Sequence, residues 1–377
     1  MAASGPSFSS WTRAVIEELA ASEGRALSLF ESSVPEPQQL LLETCAQAFG
    51  HGFTERYAGT FVSGNPYVVS RLGQRYGVDA DSVLCTTGAS SALSLIYRAL
   101  LRPGDRVLVE TPGFDLFVIL AGMLGVAVDY FERSAPDFAL DPAKVAAMIR
   151  PRTRLIVCTD LHNPSGAQAD AAALREIAAL ARRHDACVVV DEVYADYAGP
   201  GRRAAATLGE NFFSIGSLTK NYGLSTLRCG WAVAHPKMLA PVRRLYNESE
   251  FGVSKLAHSI AALVLERPEG YDRYWQDILA ASRPLMREQH EQWLAAGLVA
   301  GQLPAHGCIY FPRLAGIEDT AAFAAGSARE HGVYVAPGEY FGAPGHIRIG
   351  FGQPADKLRE ALLRLTAALQ AHRRRNR

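Results

Sequence analysis

The stretch richest in chemistry is residues 214–231, "SIGSLTKNYGLSTLRCGW". It sets a single lysine, Lys220, among Ser, Thr and Gly in a turn between two apolar runs. Surface lysines usually sit on helices among other charges. In an apolar-flanked loop, desolvation favours the uncharged amine, a nucleophile that can form an imine with a carbonyl. Ser217, Thr219 and Arg228 add hydroxyls and a positive charge, a donor set for an anion such as a phosphate. On this segment alone, a structural loop lysine remains the competing explanation.

Four other segments carry similar chemistry. "TTGASSA", residues 86–92, is a strand-end glycine followed by small residues that open a helix. The free N–H groups around Gly88, Ala89 and Ser90 suit an anion. The segment lacks the Gly-Lys-Ser/Thr of a nucleotide P-loop and the GxGxxG of a dinucleotide fold. "TPGFD" puts Phe114 just past a strand end, where a ring can stack on a flat ligand or fill a core. "HNPSG" offers the carboxamide of Asn163 from a polar turn. "VVVDEVYADY" ends an apolar run on Asp191, with Tyr194 three residues later. A carboxylate at the C-terminal end of a buried parallel strand is where α/β folds place ligand contacts. Taken singly, Asp191 reads equally as a helix cap or an ion-pair partner.

The elements that must hold these residues read as strand–helix alternation from residue 83. "SVLCTTG", "RVLVETP", "VAVDYFE", "TRLIVCTD", "ACVVVDEVY", "NFFSIGSL" and "LRCGWAVA" are strand-like, with helical segments between most of them. Near-continuous apolar strands separated by helices imply a mostly parallel sheet covered on both faces. Helices are expected over residues 11–24 and 38–50, in a segment ending at Gly77, and over "DPAKVAAMIR" with Asp141 as N-cap. Beyond about residue 236 the texture becomes mainly helical, with strand-like "GCIYFPRL", "GVYVAPG" and "HIRIGFG". The expected division is an N-terminal segment, 1–45, packing with a small α+β domain, 266–377, and a large α/β domain, 46–265.

Composition narrows the classes. The chain has 377 residues, 49% of them hydrophobic, with 38 basic and 38 acidic side chains. A balanced charge gives no bulk attraction to nucleic acid. The six cysteines are scattered, with no CxxC pair and no metal-ligand spacing. No secretory leader is visible in "MAASGPSFSSW", and no apolar run reaches the roughly 18 residues that cross a bilayer. A cytoplasmic protein without metal is expected. The basic tail "AHRRRNR" reads as the solvated end of a helix.

In order and spacing, these pieces resemble the fold-type I pyridoxal-phosphate enzymes of the class I/II aminotransferase family. The likeness runs over about residues 25–370. The family's serine-x-serine-lysine pattern, with Arg eight residues on, matches "SLTK" and Arg228, with Thr219 in place of the second serine. Asn-Pro-Thr-Gly matches "NPSG", Asp-x-x-Tyr matches Asp191 and Tyr194, and the Pro-Gly, Phe-Gly, Ile-Arg-Ile run matches "APGEYFGAPGHIRIGFG". The resemblance implies an aspartate aminotransferase-like α/β fold with a seven-stranded-type, mostly parallel sheet and bound pyridoxal 5'-phosphate. It further implies that Lys220 holds the cofactor as an imine and moves a proton, and that Asp191 pairs with the ring nitrogen. Asn163 and Tyr194 would bond the ring oxygen and Phe114 would stack on the ring. Gly88, Ala89, Ser90, Ser217, Thr219 and Arg228 would take the phosphate, and Arg348 the substrate α-carboxylate, with Asn163 also contacting the substrate.

The pattern departs from the family at two places. "LFESSVPEP" is more polar than the family's N-terminal stretch, so Glu31, Ser32 and Ser33 are candidates to meet a polar or cationic substrate side chain. Ser33 is taken as the substrate contact. Tyr57 is the candidate to reach a neighbouring subunit's phosphate, since family members are generally homodimers. The expected reaction moves an amino group between an L-amino acid and a 2-oxo acid. The alternative is another pyridoxal-phosphate reaction, such as elimination, cyclisation, decarboxylation or oxidation, which the same lysine, Asp and Arg serve. About 25 residues precede the matching region, too few for the DNA-binding domain of a regulator built on this fold.

Overall fold

The computed structural model describes residues 7–199 and 203–375. In chain order the strands are β1 (Leu27–Ser28), β2 (Val83–Thr87), β3 (Arg106–Thr111), β4 (Ala127–Glu132), β5 (Thr153–Thr159), β6 (Cys187–Asp191), β7 (Phe212–Ser217) and β8 (Cys229–Ala234). Short strands follow: β9 (Val299–Ala300), β10 (Ile309–Tyr310), β11 (Arg313–Leu314), β12 (Val333–Tyr334), β13 (Ala336–Pro337) and β14 (Ile347–Gly350). β2 to β8 form one seven-stranded sheet in the order β2-β8-β7-β6-β5-β3-β4. β8 runs antiparallel to β2 and β7, and the other pairs are parallel. This is the expected mostly parallel α/β sheet.

β7 and β8 are buried along their whole length, which is why their sequences are apolar runs rather than alternations. Phe212 and Phe213, adjacent on β7, fall in two separate core clusters, because successive strand side chains point to opposite faces. One cluster holds Leu93 and Ile96 of the helix Ala89–Leu100; the other holds Leu174 and Ile177 of the helix Ala171–Arg183. Each fully buried Phe contributes on the order of 2–3 kcal/mol.

The register brings functional positions side by side. Thr159 pairs with Asp191, and Asp191 with Ile215, so the C-terminal ends of β5, β6 and β7 lie level. At the other edge Thr87 pairs with Cys229, which sets Gly88 beside Arg228. A second, three-stranded sheet orders β10-β14-β13 and carries Arg348 on its central strand.

Caps explain several helix ends. Asp141 Oδ1 accepts from Ala143 N–H, as expected of an N-cap. Gly77 closes its helix with φ 65°, a left-handed position that glycine adopts without a Cβ clash. The first helix, α1, runs Phe8–Ala21 rather than 11–24. Ser7 caps it by accepting from Ser10 N–H, a start signal hidden in a polar leader whose first six residues lie outside the described ones. "GVYVAPG" forms two two-residue strands, β12 and β13, where one continuous strand was expected. They serve different partners: β12 pairs β1, and β13 pairs β14. The C-terminal helix extends to Arg375, and the last two residues lie outside the described ones.

Candidate active site

A cavity of about 320 Å³ lies at the C-terminal ends of the parallel strands, beneath α1. Lys220, Asp191, Asn163, Tyr194, Phe114 and Arg348 line it together, although up to 234 residues separate them in sequence, from Phe114 to Arg348. Each follows a strand end or, for Arg348, sits on the facing small sheet.

Lys220 stands in the loop after β7. Its backbone is fixed on both sides: Tyr197 O–H donates to its carbonyl at 2.8 Å, and Val34 N–H does so at 3.2 Å. Its Nζ donates to Ser32 Oγ at 3.0 Å and lies 5.5 Å from the Tyr194 ring centroid. Asp191 is 8% exposed and its Oδ1 accepts from Val193 N–H at 3.2 Å. Burial pushes its carboxyl up to about 6, against the pull of the Val193 N–H and the Lys220 charge. A buried carboxylate of this kind is poised to gain from a cationic ring N–H.

Arg348 is 2% exposed and has no ion-pair partner among the described residues. Nη1 donates to Asn163 Oδ1 at 2.8 Å and Nη2 to Phe30 O at 2.9 Å, while Nε has no partner. Rings hold the guanidinium in place: its carbon lies 5.0 Å from the Phe8 centroid and 4.9 Å from that of Phe341. Burial lowers its pKa, with Tyr194, Cys308 and Asp115 opposing. A buried guanidinium that lacks an anion and keeps a free Nε donor is a receptor for a carboxylate.

The remaining donors gather at the N-terminus of the helix Ala89–Leu100. Gly88 is its cap residue, with no side-chain cap bond. Arg228, in a left-handed turn at φ 46°, lays its guanidinium against Gly88: a Cβ there would lie 2.5 Å from Arg228 Nη2. On the other side, a Cβ on Gly230 would lie 2.5 Å from Ala89 N. Ser217 is buried at the end of β7, and its Oγ accepts weakly from Thr219 N–H at 3.4 Å. An uncapped helix start with a guanidinium packed against it fits a phosphate dianion. The residue set thus fits pyridoxal phosphate at both ends.

Ser33 and Glu31, two expected substrate contacts, are not brought into the cavity. Ser32, not Ser33, faces Lys220; Ser33 points its backbone at Gly352. In this extended segment neighbouring residues face opposite ways, so a one-residue choice changes the answer. Glu31 is exposed, and its backbone packs on Gly350. Tyr57 stacks on Phe53 at 4.4 Å and carries Lys255 Nζ 4.2 Å above its ring, away from this chain's cavity. Conversely, Phe8, Ser32 and Thr159 line the cavity, and of these only Ser32 is a candidate from its sequence. The signal for Thr159 was its place at the end of an apolar strand, level with Asp191; Phe8 gave none, since the helix that delivers it read as starting later.

Among the described residues, no cluster of three or more His, Cys, Asp or Glu is arranged for a metal, and no helix is long and apolar enough to cross a membrane.

Comparison with known proteins agrees with this fold. The family model "Aminotransferase class I and II" matches residues 53–365. Arginine–pyruvate transaminase of Pseudomonas aeruginosa is 31% identical over 78% of this chain and 76% of its own length. Capreomycidine synthase of Streptomyces vinaceus is 32% identical over 78% and 75% respectively. The crystal structure of a pyridoxal-phosphate-dependent aminotransferase from Streptococcus suis superposes with a TM-score of 0.83 at 25% identity, covering 95% of this chain and 97% of that one. Aspartate aminotransferase of Thermus thermophilus shares the fold, with a TM-score of 0.82 at 23% identity over 97% of each chain. The chain therefore belongs to the class I and II aminotransferases, a pyridoxal-phosphate-dependent family.

Proposed function

We propose that this aminotransferase carries out its reaction with Lys220 as the cofactor-bearing and proton-moving amine and Arg348 as the clamp on the substrate α-carboxylate. The observation that carries this reading is the joint placement of Lys220, Asp191 and the anion-free Arg348 around a single 320 Å³ cavity. The family's substrates are an amino acid and a 2-oxo acid; the L-configuration of the donor is part of the proposal.

The bound cofactor supplies an electron sink for the pair left on Cα when its proton departs. The chain's residues do the rest. Asp191 would hold a proton on the ring nitrogen. Asn163 and Tyr194 would donate to the ring oxygen, and Phe114 would cover a ring face. Gly88, Ala89 and Ser90 offer N–H groups to the phosphate, joined by the Ser217 and Thr219 hydroxyls and Arg228. Arg348 fixes the carboxylate with paired donors that a lysine cannot present. That grip would orient the Cα–H bond toward Lys220 Nζ, which would take the proton and give it back to the carbon on the far side of the amino nitrogen. Ser32 Oγ gives Nζ a resting partner, and Phe8 screens the clamp from water.

Residues 53–62 and 251–256 support a homodimer. Phe53, Phe61, Val62, Phe251 and Leu256 are exposed on these segments, which touch through Thr60 Oγ1 and Val253 O at 2.9 Å. Tyr57 in this group would serve a partner's phosphate site. The division at residues 45 and 265 and a cytoplasmic location complete the reading; all six cysteines are free.

The test is the visible spectrum of the purified protein as single L-amino acids are added without oxo acid. Loss of the yellow band with stoichiometric oxo-acid release supports transamination and names the donor. Ammonia or carbon dioxide release sinks it in favour of another reaction type.

A further inference from the structure

Behind the clamp lies a buried chain of bonds that the reading above does not use. Arg133 and Glu110 form an ion pair with both side chains 0% exposed, Nη1 donating to Oε2 at 3.0 Å. Arg133 Nε also donates to Phe138 O at 2.7 Å. Glu110 Oε1 then accepts twice from Thr159, from its N–H at 2.8 Å and from its hydroxyl at 2.6 Å. The Thr159 carbonyl takes a bond from Arg133 Nη1 at 3.2 Å. All three polar groups of Thr159 are thereby committed to one ion pair.

The Thr159 hydroxyl has one further task. It accepts the N–H of Asn163 at 2.8 Å, and Asn163 Oδ1 is the acceptor that holds Arg348. A hydroxyl that donates to a carboxylate is polarised and accepts more strongly in turn. His162, between these residues, is kept neutral by burial and by Arg133. With Pro112 O at 2.9 Å on Nε2, that nitrogen carries the proton, and Nδ1 accepts from Ser165 O–H at 2.6 Å. His162 therefore brings no charge to the chain, although Nε2 lies 3.9 Å from Glu110.

We propose that Thr159 is a positioning residue: anchored on the buried Arg133–Glu110 pair, its hydroxyl fixes Asn163 and through it the orientation of the Arg348 clamp. This rests on the reading of Lys220, Asn163 and Arg348 given above. Isolated buried ion pairs stabilise little. This one sits where it holds a loop that touches both substrate and cofactor. Thr159 lines the cavity itself, so the chain ends directly at the reacting groups.

The test uses the holoenzyme and two variants, Thr159→Val and Thr159→Ser. Valine keeps the shape and removes the hydroxyl; serine keeps the hydroxyl. Two quantities are read: the donor KM against kcat, and the pH midpoint of the visible band of the lysine-bound cofactor. In Thr159→Val, KM rises by roughly tenfold with a smaller fall in kcat, as expected for one charge-coupled hydrogen bond. The spectral midpoint rises by roughly half a unit, because a slackened Asn163 donates less to the ring oxygen. Thr159→Ser returns both to near the wild-type values. A valine variant that melts earlier with KM and midpoint unmoved overturns the proposal, as does a serine variant indistinguishable from valine. A wild-type protein with no visible band overturns the functional reading itself, a distinct failure.

Discussion

The two ends of the site are built on opposite plans. At the carboxylate end, Arg348, Asn163, Thr159, Glu110 and Arg133 are already bonded to one another, with Arg348 Nε and Arg133 Nη2 left without a partner. At the phosphate end, an uncapped helix start, a guanidinium and two hydroxyls face each other with few bonds between them. On the proposed assignment, the first end would hold one geometry through every turnover, since a changing set of substrates would pass over it. The second would grip a single dianion that stays, so its donors would find their acceptor when the cofactor arrives. Rigidity would then be built in by protein where the ligand turns over, and supplied by the ligand where it is resident.

Between the two ends stands Lys220, and Lys220→Ala gives the largest expected effect. Steady-state transamination should fall by at least ~10³-fold while circular dichroism stays native. Unchanged turnover would remove the centre of the site.

The carboxylate end comes next. Arg348→Lys keeps the charge but loses the paired donors, so the donor KM should rise by roughly 10²-fold, about 3 kcal/mol, with kcat changing less. Equal losses in both constants, measured over several carboxylate substrates, would mean that Arg348 acts on the reacting atoms rather than as a clamp.

The phosphate end responds to backbone shape. Gly88→Ala places a Cβ against Arg228 at a residue with φ 81°. Pyridoxal phosphate affinity should drop about tenfold and stability by about 1–2 kcal/mol, read by cofactor titration and thermal melting. A drop in stability with unchanged affinity would separate Gly88 from the cofactor.

A smaller effect is pH-dependent. Asp191 in the cofactor-free protein sits near 6, raised by burial above its unfolded value. The folded state therefore binds more protons than the unfolded state between about pH 4 and 6, and stability falls as pH rises through that window. In the apoprotein, Asp191→Asn should flatten this fall and raise stability at pH 7 by about 1–3 kcal/mol. In the holoprotein the same change should lose stabilisation by the cofactor. A melting curve with no difference in pH slope between apo forms would contradict the burial account. The mildest change is Phe8→Ala, which removes one ring from Arg348 and should raise the donor KM only severalfold.

Much of this was legible in sequence where physics is local. The apolar runs of β5 to β8, the Asp141 cap and Gly77 each follow from a residue and its near neighbours. Lys220, Asp191, Asn163, Tyr194 and Arg348 stood out as candidates because together, in order, they resemble a family's motifs; taken singly, each read as an ordinary loop, cap or strand residue. Ser32 against Ser33 was not decidable, since an extended segment shows which residues alternate and not which set faces inward. The anchoring of Thr159 was equally hidden: nothing local marks Glu110 and Arg133, 23 positions apart, as a buried pair.

By itself the sequence determined the alternating architecture and the strand ends, because hydrophobic period and turn chemistry act over a few residues; its resemblance to a family named the candidates for the reactive groups. Tertiary structure alone decided which groups meet. Arg348 reaches Asn163 across 185 positions, and Lys220 reaches Ser32 across 188. Those contacts depend on how the small sheet and the N-terminal segment close over the large sheet. Packing of whole elements sets that closure, and no local pattern along the chain encodes it.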